Sequence, residues 1–145
     1  MMDVLTLEDR LELYELYARF AHAIDAGDVE AWVALFTPDG RFGMPAGAIN
    51  GADELREFAT RRSREAPGQF HLTANIVLQG TSRTATGRAY VVCFRLAGDA
   101  QLRLLNIGRY EDIWVKTSEG WRLAAREVLS EIPERMRDAP FAFAF

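Results

Sequence analysis

The amino-acid sequence predicts an α+β fold, in which helices pack on one face of a curved, mainly antiparallel sheet. Three segments within the first 65 residues carry apolar side chains at helical spacing. After Pro67-Gly68 the chain becomes rich in Val, Ile, Tyr, Phe and Trp, and turn sequences divide it into four strand-like stretches. Helices followed by a meander with short connections are typical of α+β proteins. We therefore expect residues 1–145 to form one domain.

The first helix is predicted to begin after Thr6, which forms with Asp9 a pattern similar to a capping box. Gly27 provides a stop, because glycine readily adopts the left-handed conformation in which many helices end. Between these two points apolar residues recur at helical spacing, namely Leu13, Leu16, Tyr17, Phe20 and Ile24. We expect this stripe to face the sheet.

Two more helices and one short strand are predicted before residue 66. Asp28 can cap a second helix over residues 29–36, which the sequence TPDG ends. A short strand near residues 41–44 and a loop lead to an amphipathic helix over 52–65, and the basic run 61–64 is interpreted as the solvated face of that helix. The strands of the meander are predicted at residues 69–79, 84–97, 101–117 and 120–132.

Composition disfavours several classes of partner and site. The chain of 145 residues has 17 basic and 21 acidic residues and a net charge of −4, which argues against nucleic acid or an anionic membrane as the partner. The single Cys93 leaves no internal disulfide or cysteine-based zinc site and fits a reducing cytoplasm. We find no signal peptide and no apolar segment near the roughly 20 residues that span a bilayer. Phosphate-loop, dinucleotide and metal-ligand motifs are missing, so no cofactor is expected.

His71 is the first candidate for chemistry, because it lies on the first long strand among polar but uncharged neighbours. Strict alternation predicts one face with Phe70, Leu72, Ala74, Ile76 and Leu78, and another with His71, Thr73, Asn75 and Val77. Histidine suits general acid–base catalysis, since its ordinary pKa of about 6.5 is close to operating pH. A histidine that faces solvent is the alternative. His22 is predicted to be such a surface residue.

Asp25 lies in the last turn of the first helix, where a carboxylate opposes the helix dipole. It is either a solvated acid beside a turn or an acid that faces the space between helix and sheet and orients a histidine.

Arg126 lies on the last strand and is predicted to share a face with Arg122, Ala124 and Val128. It could neutralise the negative charge of a substrate oxyanion or leaving group, or form a salt bridge with Glu111 or Glu127. Further polar positions on apolar strands, none of them specific alone, are Tyr90, Cys93, Asn106 and Tyr110.

Landmark segments resemble the SnoaL-like branch of the nuclear transport factor 2-like superfamily over about residues 5–132. In chain order they are AIDAGD, LFTPDG, the His and Asn of the first long strand, ATGRAY, GRYED and EGWRLAAR. The resemblance implies a cone-shaped roll, in which a strongly curved sheet wraps around three helices and encloses a deep, mostly apolar pocket. His71 would then face this pocket.

That branch includes scytalone dehydratase, bile-acid 7α-dehydratase, hexachlorocyclohexane dehydrochlorinase and polyketide cyclases. Its eliminating members pair an Asp at the end of the first helix with a His on the first long strand, and Asp25 and His71 match these positions. Arg126 matches an Arg of the dehydrochlorinase. The resemblance thus implies a cofactor-independent lyase or isomerase, dehydratase- or cyclase-like, that acts on a small hydrophobic oxygenated ring compound. From the strand positions themselves we expect Asn75, Tyr90 and Tyr110 to bind substrate together with Phe20 and Cys93, although Phe20 and Cys93 depart from the residues that those enzymes use.

The same fold also serves as a non-catalytic ligand-binding or partner subunit, such as the β subunit of ring-hydroxylating dioxygenases, so this function stays an alternative. The resemblance implies a homo-oligomer built on the outer face of the sheet, a trimer ahead of a dimer. The aromatic tail, residues 133–145, is expected to cover a pocket mouth with Phe141, Phe143 and Phe145, with a disordered end as the alternative.

Overall fold

Three helices and seven strands form the part of the chain that the computed structural model describes, residues 3–96, 98–136 and 138–140. The helices are α1 (Leu7–Ala26), α2 (Val29–Val33) and α3 (Gly51–Glu65). The strands are β1 (Phe36–Met44), β2 (Gly47–Asn50), β3 (Gln69–Gly80), β4 (Thr84–Leu96), β5 (Leu102–Thr117), β6 (Gly120–Ser130) and β7 (Ala139–Pro140), with one turn of 3₁₀ helix at Glu134–Met136. The three phenylalanines of the predicted tail cover lie outside the described residues.

The strands form one curled sheet in the order β2-β1-β6-β5-β4-β3, which stays open because β2 and β3 are its edges. All neighbours along this order run antiparallel except β1 and β6, which are parallel. The short β7 pairs with the start of β5. The predicted α+β fold with a curved, mainly antiparallel sheet is confirmed. No helix in the described ranges is long and apolar enough to cross a membrane.

Helix α1 begins and ends as its sequence predicts. The Thr6 hydroxyl accepts a hydrogen bond from the Asp9 amide, and the Asp9 carboxylate accepts one from the Thr6 amide, each at 3.1 Å. Gly27 ends the helix with a φ of 71°, in the left-handed region. The stripe of five apolar residues is buried, which places α1 across the concave face of the sheet.

The segment after α1 departs from the prediction. Asp28 does cap α2, since its carboxylate accepts a hydrogen bond from the Ala31 amide at 3.1 Å, but the helix ends at Val33. Strand β1 begins at Phe36, runs through TPDG and forms a hairpin with β2, where one short strand and a loop were expected. Parallel pairing with β6, which places Phe36 opposite Leu123, overrides the local helical pattern.

Strand β3 does not keep one apolar face, because a bulge interrupts its pairing with β4 between Ala74 and Val77. Asn75, at this bulge, has a φ of 55°. Before the bulge Phe70 and Leu72 face outward, 55% and 60% exposed, whereas Leu78 beyond it is buried. The predicted single apolar face of β3 is therefore wrong, and His71 lies on the inner side.

Candidate functional site

A cavity of about 290 Å³ opens between α1, α3 and the concave face of the sheet. Its walls are mostly apolar. Five of the lining residues belong to a cluster of aromatic rings in which neighbouring centroids lie 5.0–6.3 Å apart: Phe20, Trp32, Phe42, Phe58 and Tyr110, with Phe36 behind them. The polar lining consists of Arg62, His71, Cys93, Asn106, Tyr110 and Ser130. Such a cavity suits a small ring compound with a few polar substituents.

Asp25 and His71 meet at the wall of this cavity. The Asp25 carboxylate accepts a hydrogen bond from the His71 backbone amide at 2.9 Å, and its second oxygen lies 2.6 Å from His71 Nδ1. The side chains are 19% and 14% exposed, so Asp25 is not a solvated acid but a partner of the histidine. Because Asp25 occupies Nδ1, proton exchange with a ligand would use Nε2.

The Asp25–His71 pair favours the charged form of the imidazole. Burial lowers the pKa of His71, but the hydrogen bonds to Asp25 and to Cys93 outweigh burial and raise this pKa to about 9. Cys93 lies directly opposite His71 in the β3–β4 ladder. At pH 7 the pair is therefore an imidazolium beside a carboxylate.

We expect Asp25→Asn to lower the pKa of His71 by roughly 1–3 units, because the negative charge that stabilises the imidazolium is lost while the shape of the side chain is kept. The measurement is an NMR titration of the imidazole carbon-bound protons. A His22→Ala background removes the other histidine signal and so assigns the remaining one. Titration curves that coincide with and without the Asp25 carboxylate would contradict this account of the pair.

Arg126 lies behind the cavity wall and does not line the cavity. It is fully buried and forms two parallel hydrogen bonds to Asp112, Nε to Oδ1 at 2.7 Å and Nη2 to Oδ2 at 2.8 Å. The Tyr17 hydroxyl donates to the same carboxylate at 2.5 Å. The guanidinium also lies 4.2 Å from the ring centroid of Phe20 and 3.9 Å from that of Tyr110. The predicted salt bridge with Glu111 or Glu127 is wrong, since Asp112 is the partner.

A bulge explains this change of partner. The β5–β6 hairpin starts with Thr117 opposite Gly120, and an uninterrupted ladder would place Arg126 opposite Glu111. The pairing instead shifts by one residue at Ala124, which brings Arg126 opposite Asp112. The same shift turns Arg126 to the buried side that Leu123 occupies, and not to the face of Arg122 and Ala124 that strict alternation predicts.

Of the five predicted substrate-binding residues, three line the cavity: Phe20, Cys93 and Tyr110. Burial raises the pKa of Tyr110, which keeps its phenol protonated, and none of the hydrogen bonds among the described residues uses its hydroxyl. The structure does not bring the other two to the cavity. Asn75 is exposed at the bulge of β3, and Tyr90, 57% exposed, points to the outer face because its neighbours Ala89 and Val91 point inward.

Arg62 lines the cavity from α3 and is not among the site residues predicted from the sequence. Its Nε donates to Gln69 Oε1 at 2.9 Å, and Gln69 Nε2 donates to the carbonyl oxygen of Ile24 at 3.2 Å. Arg61 and Arg64 are exposed, as the basic run predicts, but Arg62 is not part of that solvated face. The sequence does indicate that Arg62 faces inward, because it follows the buried Leu55 and Ala59 of α3 at helical spacing.

Asn106 and Ser130 complete the polar lining. The Ser130 hydroxyl donates to Asn106 Oδ1 at 2.7 Å, which leaves the Asn106 amide nitrogen as a donor toward a ligand. The described ranges hold no group of three His, Cys, Asp or Glu side chains placed to bind a metal ion.

Comparisons with known proteins agree with this fold. The sequence model of the SnoaL-like domain family matches residues 5–127 of this chain. The uncharacterized protein Rv2910c of Mycobacterium tuberculosis is 30% identical over 131 residues, which cover 87% of this chain and 88% of that protein.

Two solved structures are also similar. An Asp-to-Asn variant of Rv3472, a protein of unknown function from Mycobacterium tuberculosis, has a TM-score of 0.82 and 29% identity over 88% of this chain and 74% of that one. An NTF2-like protein with a cystatin-like fold from Novosphingobium aromaticivorans has a TM-score of 0.78 and 27% identity over 90% and 87% of the two chains. The chain therefore belongs to the SnoaL-like domain family of the NTF2-like superfamily.

Proposed function

We propose that this protein is a cofactor-independent lyase or isomerase, dehydratase- or cyclase-like, that acts on a small hydrophobic oxygenated ring compound. The observation that carries the proposal is the double contact of Asp25 with His71 at the wall of a mostly apolar cavity of about 290 Å³. The SnoaL-like families include dehydratases and cyclases, which supports a reaction of this class.

In the proposed reaction, neutral His71 acts as the general base through Nε2. It removes a proton from a carbon next to a carbonyl group, and the electron pair of that C–H bond forms an enolate. In an isomerisation His71 returns the proton to another carbon. In a dehydration the electron pair forms a C=C bond, the C–O bond breaks, and His71 gives its proton to the departing hydroxide, so that water leaves. Asp25 stabilises the imidazolium between these two steps.

Two groups on the cavity wall are proposed to stabilise the negative charge that develops on the substrate oxygen. The Tyr110 phenol and the Asn106 amide both line the cavity and can donate hydrogen bonds. Arg126 is proposed to act through Tyr110, as a positioning residue, because its guanidinium packs on the Tyr110 ring from the side away from the cavity. This role replaces the direct contact with substrate that the resemblance implies for Arg126.

The test is a panel of small cyclic ketones and β-hydroxy ketones, incubated with the protein in D₂O and followed by ¹H NMR. We expect catalysed exchange of the proton next to the carbonyl, loss of water, or both. Binding without exchange or elimination for every compound would favour the alternative function, a non-catalytic ligand-binding or partner subunit.

We also propose that the chain forms a homo-oligomer through the outer face of the sheet, a trimer ahead of a dimer. This face exposes large apolar side chains on four neighbouring strands, at Phe70, Leu72, Tyr90, Ile107, Ile113 and Leu129. Exposed apolar side chains on several neighbouring strands are typical of protein–protein interfaces.

Leu72→Lys should dissociate this assembly, since a charge placed within an apolar interface loses its hydration. Leu11→Lys is the matched control, because Leu11 is also 60% exposed but lies on α1. Analytical ultracentrifugation measures the mass of each variant. A monomeric wild-type protein, or equal dissociation by both substitutions, would contradict the proposed interface.

We also propose that the aromatic tail covers the mouth of the cavity. Strand β7 pairs with Arg103 and Leu104 of β5, directly before the cavity-lining Leu105, so the described chain ends close to the cavity. The cover of the cavity mouth by the tail, residues 133–145, stays a proposal, and the last five of these residues lie outside the described residues.

A further inference from the structure

Arg62 gives the cavity a positive charge that the proposed proton transfer does not use. It is the one Lys or Arg among the described lining residues, and none of those residues is an Asp or Glu. The other charged group at the wall, His71, is paired with Asp25. A guanidinium stays charged at every working pH, so any ligand in this cavity meets a permanent cation.

Gln69 holds Arg62 in a defined orientation. Gln69 is 3% exposed and uses both ends of its amide, with the oxygen accepting from Arg62 Nε and the nitrogen donating to the Ile24 carbonyl. Among the described residues, Arg62 forms no salt bridge with a carboxylate, and neither its Nη1 nor its Nη2 forms a hydrogen bond. The guanidinium is thus fixed on one side and offers its two terminal nitrogens to a ligand.

The position of Gln69 relates this cation to the proton-transfer pair. Gln69 and His71 lie two residues apart on the inner side of β3, ahead of the bulge, which separates their Cα atoms by roughly 7 Å along the strand. An anionic group held at Arg62 and a carbon that reacts at His71 would therefore lie within the same cavity, as two parts of one small ligand.

We propose that the substrate carries a carboxylate on its ring and that Arg62 binds this carboxylate; the inference deepens the proposed function of the Asp25–His71 pair and rests on it. The flat guanidinium matches a carboxylate with two parallel hydrogen bonds. One cation neutralises one negative charge, whereas a phosphate dianion would leave a second charge unpaired among apolar walls. The substrate class is then a small cyclic carboxylic acid that also carries a carbonyl or hydroxyl group.

The experiment compares two probes of similar shape by isothermal titration calorimetry, 4-hydroxybenzoate with a charged carboxylate and 4-hydroxybenzamide with a neutral amide in its place. We expect the wild-type protein to bind the carboxylate about 10- to 100-fold more tightly than the amide, the range of a charge-assisted hydrogen bond. Arg62→Gln should abolish this preference, and Arg62→Lys should keep part of it. Arg64→Gln is the matched control, because Arg64 lies on the same helix but is exposed.

The two probes are compared by binding alone, without turnover, so the carboxylate preference tests this inference even if no reaction is ever found. Equal binding of both probes by the wild-type protein, including no binding of either, overturns the proposal without any variant. A preference that persists in Arg62→Gln overturns it as well. Thermal melting of each variant shows whether a lost preference comes from lost folding.

Discussion

Replacing His71 with alanine should lower kcat by about 10²- to 10⁴-fold, the range over which a positioned general base accelerates proton transfer. The affinity for substrate should change only a few-fold, since aromatic and aliphatic residues supply most of the cavity wall. The measurement uses the ketone or hydroxy ketone that shows exchange or elimination in D₂O, with kcat from the NMR time course and the dissociation constant from calorimetry.

His22→Ala is the control for this substitution, because His22 is the other histidine and is exposed on α1. It should leave kcat unchanged. Asp25→Asn should also lower kcat, and the double variant should lose little more than His71→Ala alone, since the two residues act as one unit. Full activity in the His71 variant would end the general-base proposal.

The pH dependence distinguishes the base from an acid. The pKa of His71 in the free protein is raised to about 9, and a base must be neutral to accept a proton. Below this pKa, kcat/KM should therefore rise tenfold for each pH unit and level off above about 9. A kcat/KM that falls above this pH would instead assign the imidazolium as the proton donor.

Sequence periodicity was sufficient for the regular parts of the fold. Three features of α1 depend only on residues close together in the sequence, and so could be predicted: the capping box of Thr6, the stop at Gly27 and the five-residue apolar stripe. The four long strands were also predicted within two residues at each end. The pairing of Asp25 with His71 was different, because these residues lie 46 positions apart and only the family resemblance placed them together.

The departures from prediction come from tertiary pairing. The end of the expected second helix is instead the start of strand β1, because this segment pairs in parallel with β6. The bulges at Asn75 and Ala124 each shift a register by one residue, which exchanges the two faces of a strand. No periodicity marks such a residue in advance. The single-residue shift at Ala124 is what gives Arg126 a buried partner and hides it from the cavity.

That buried partner should make Asp112 one of the most sensitive positions of the fold. Asp112→Ala is expected to lower the free energy of unfolding by about 3–5 kcal/mol, because the Arg126 guanidinium would stay fully buried without a counter-charge. The Tyr17 hydroxyl would lose its acceptor at the same time. Urea unfolding measures the loss, and Glu111→Ala, the neighbouring exposed position on β5, should change stability by no more than about 0.5 kcal/mol.

The cause of this loss can be separated from simple damage to the core. If the unpaired charge is responsible, the double variant Asp112→Leu with Arg126→Met should recover most of the stability, since apolar residues of similar size can replace a buried ion pair. The double variant also provides a folded protein if Asp112→Ala does not fold. A double variant as unstable as Asp112→Ala would show instead that the shape of this pair, and not its charge, is what the packing of Tyr17, Phe20 and Tyr110 requires.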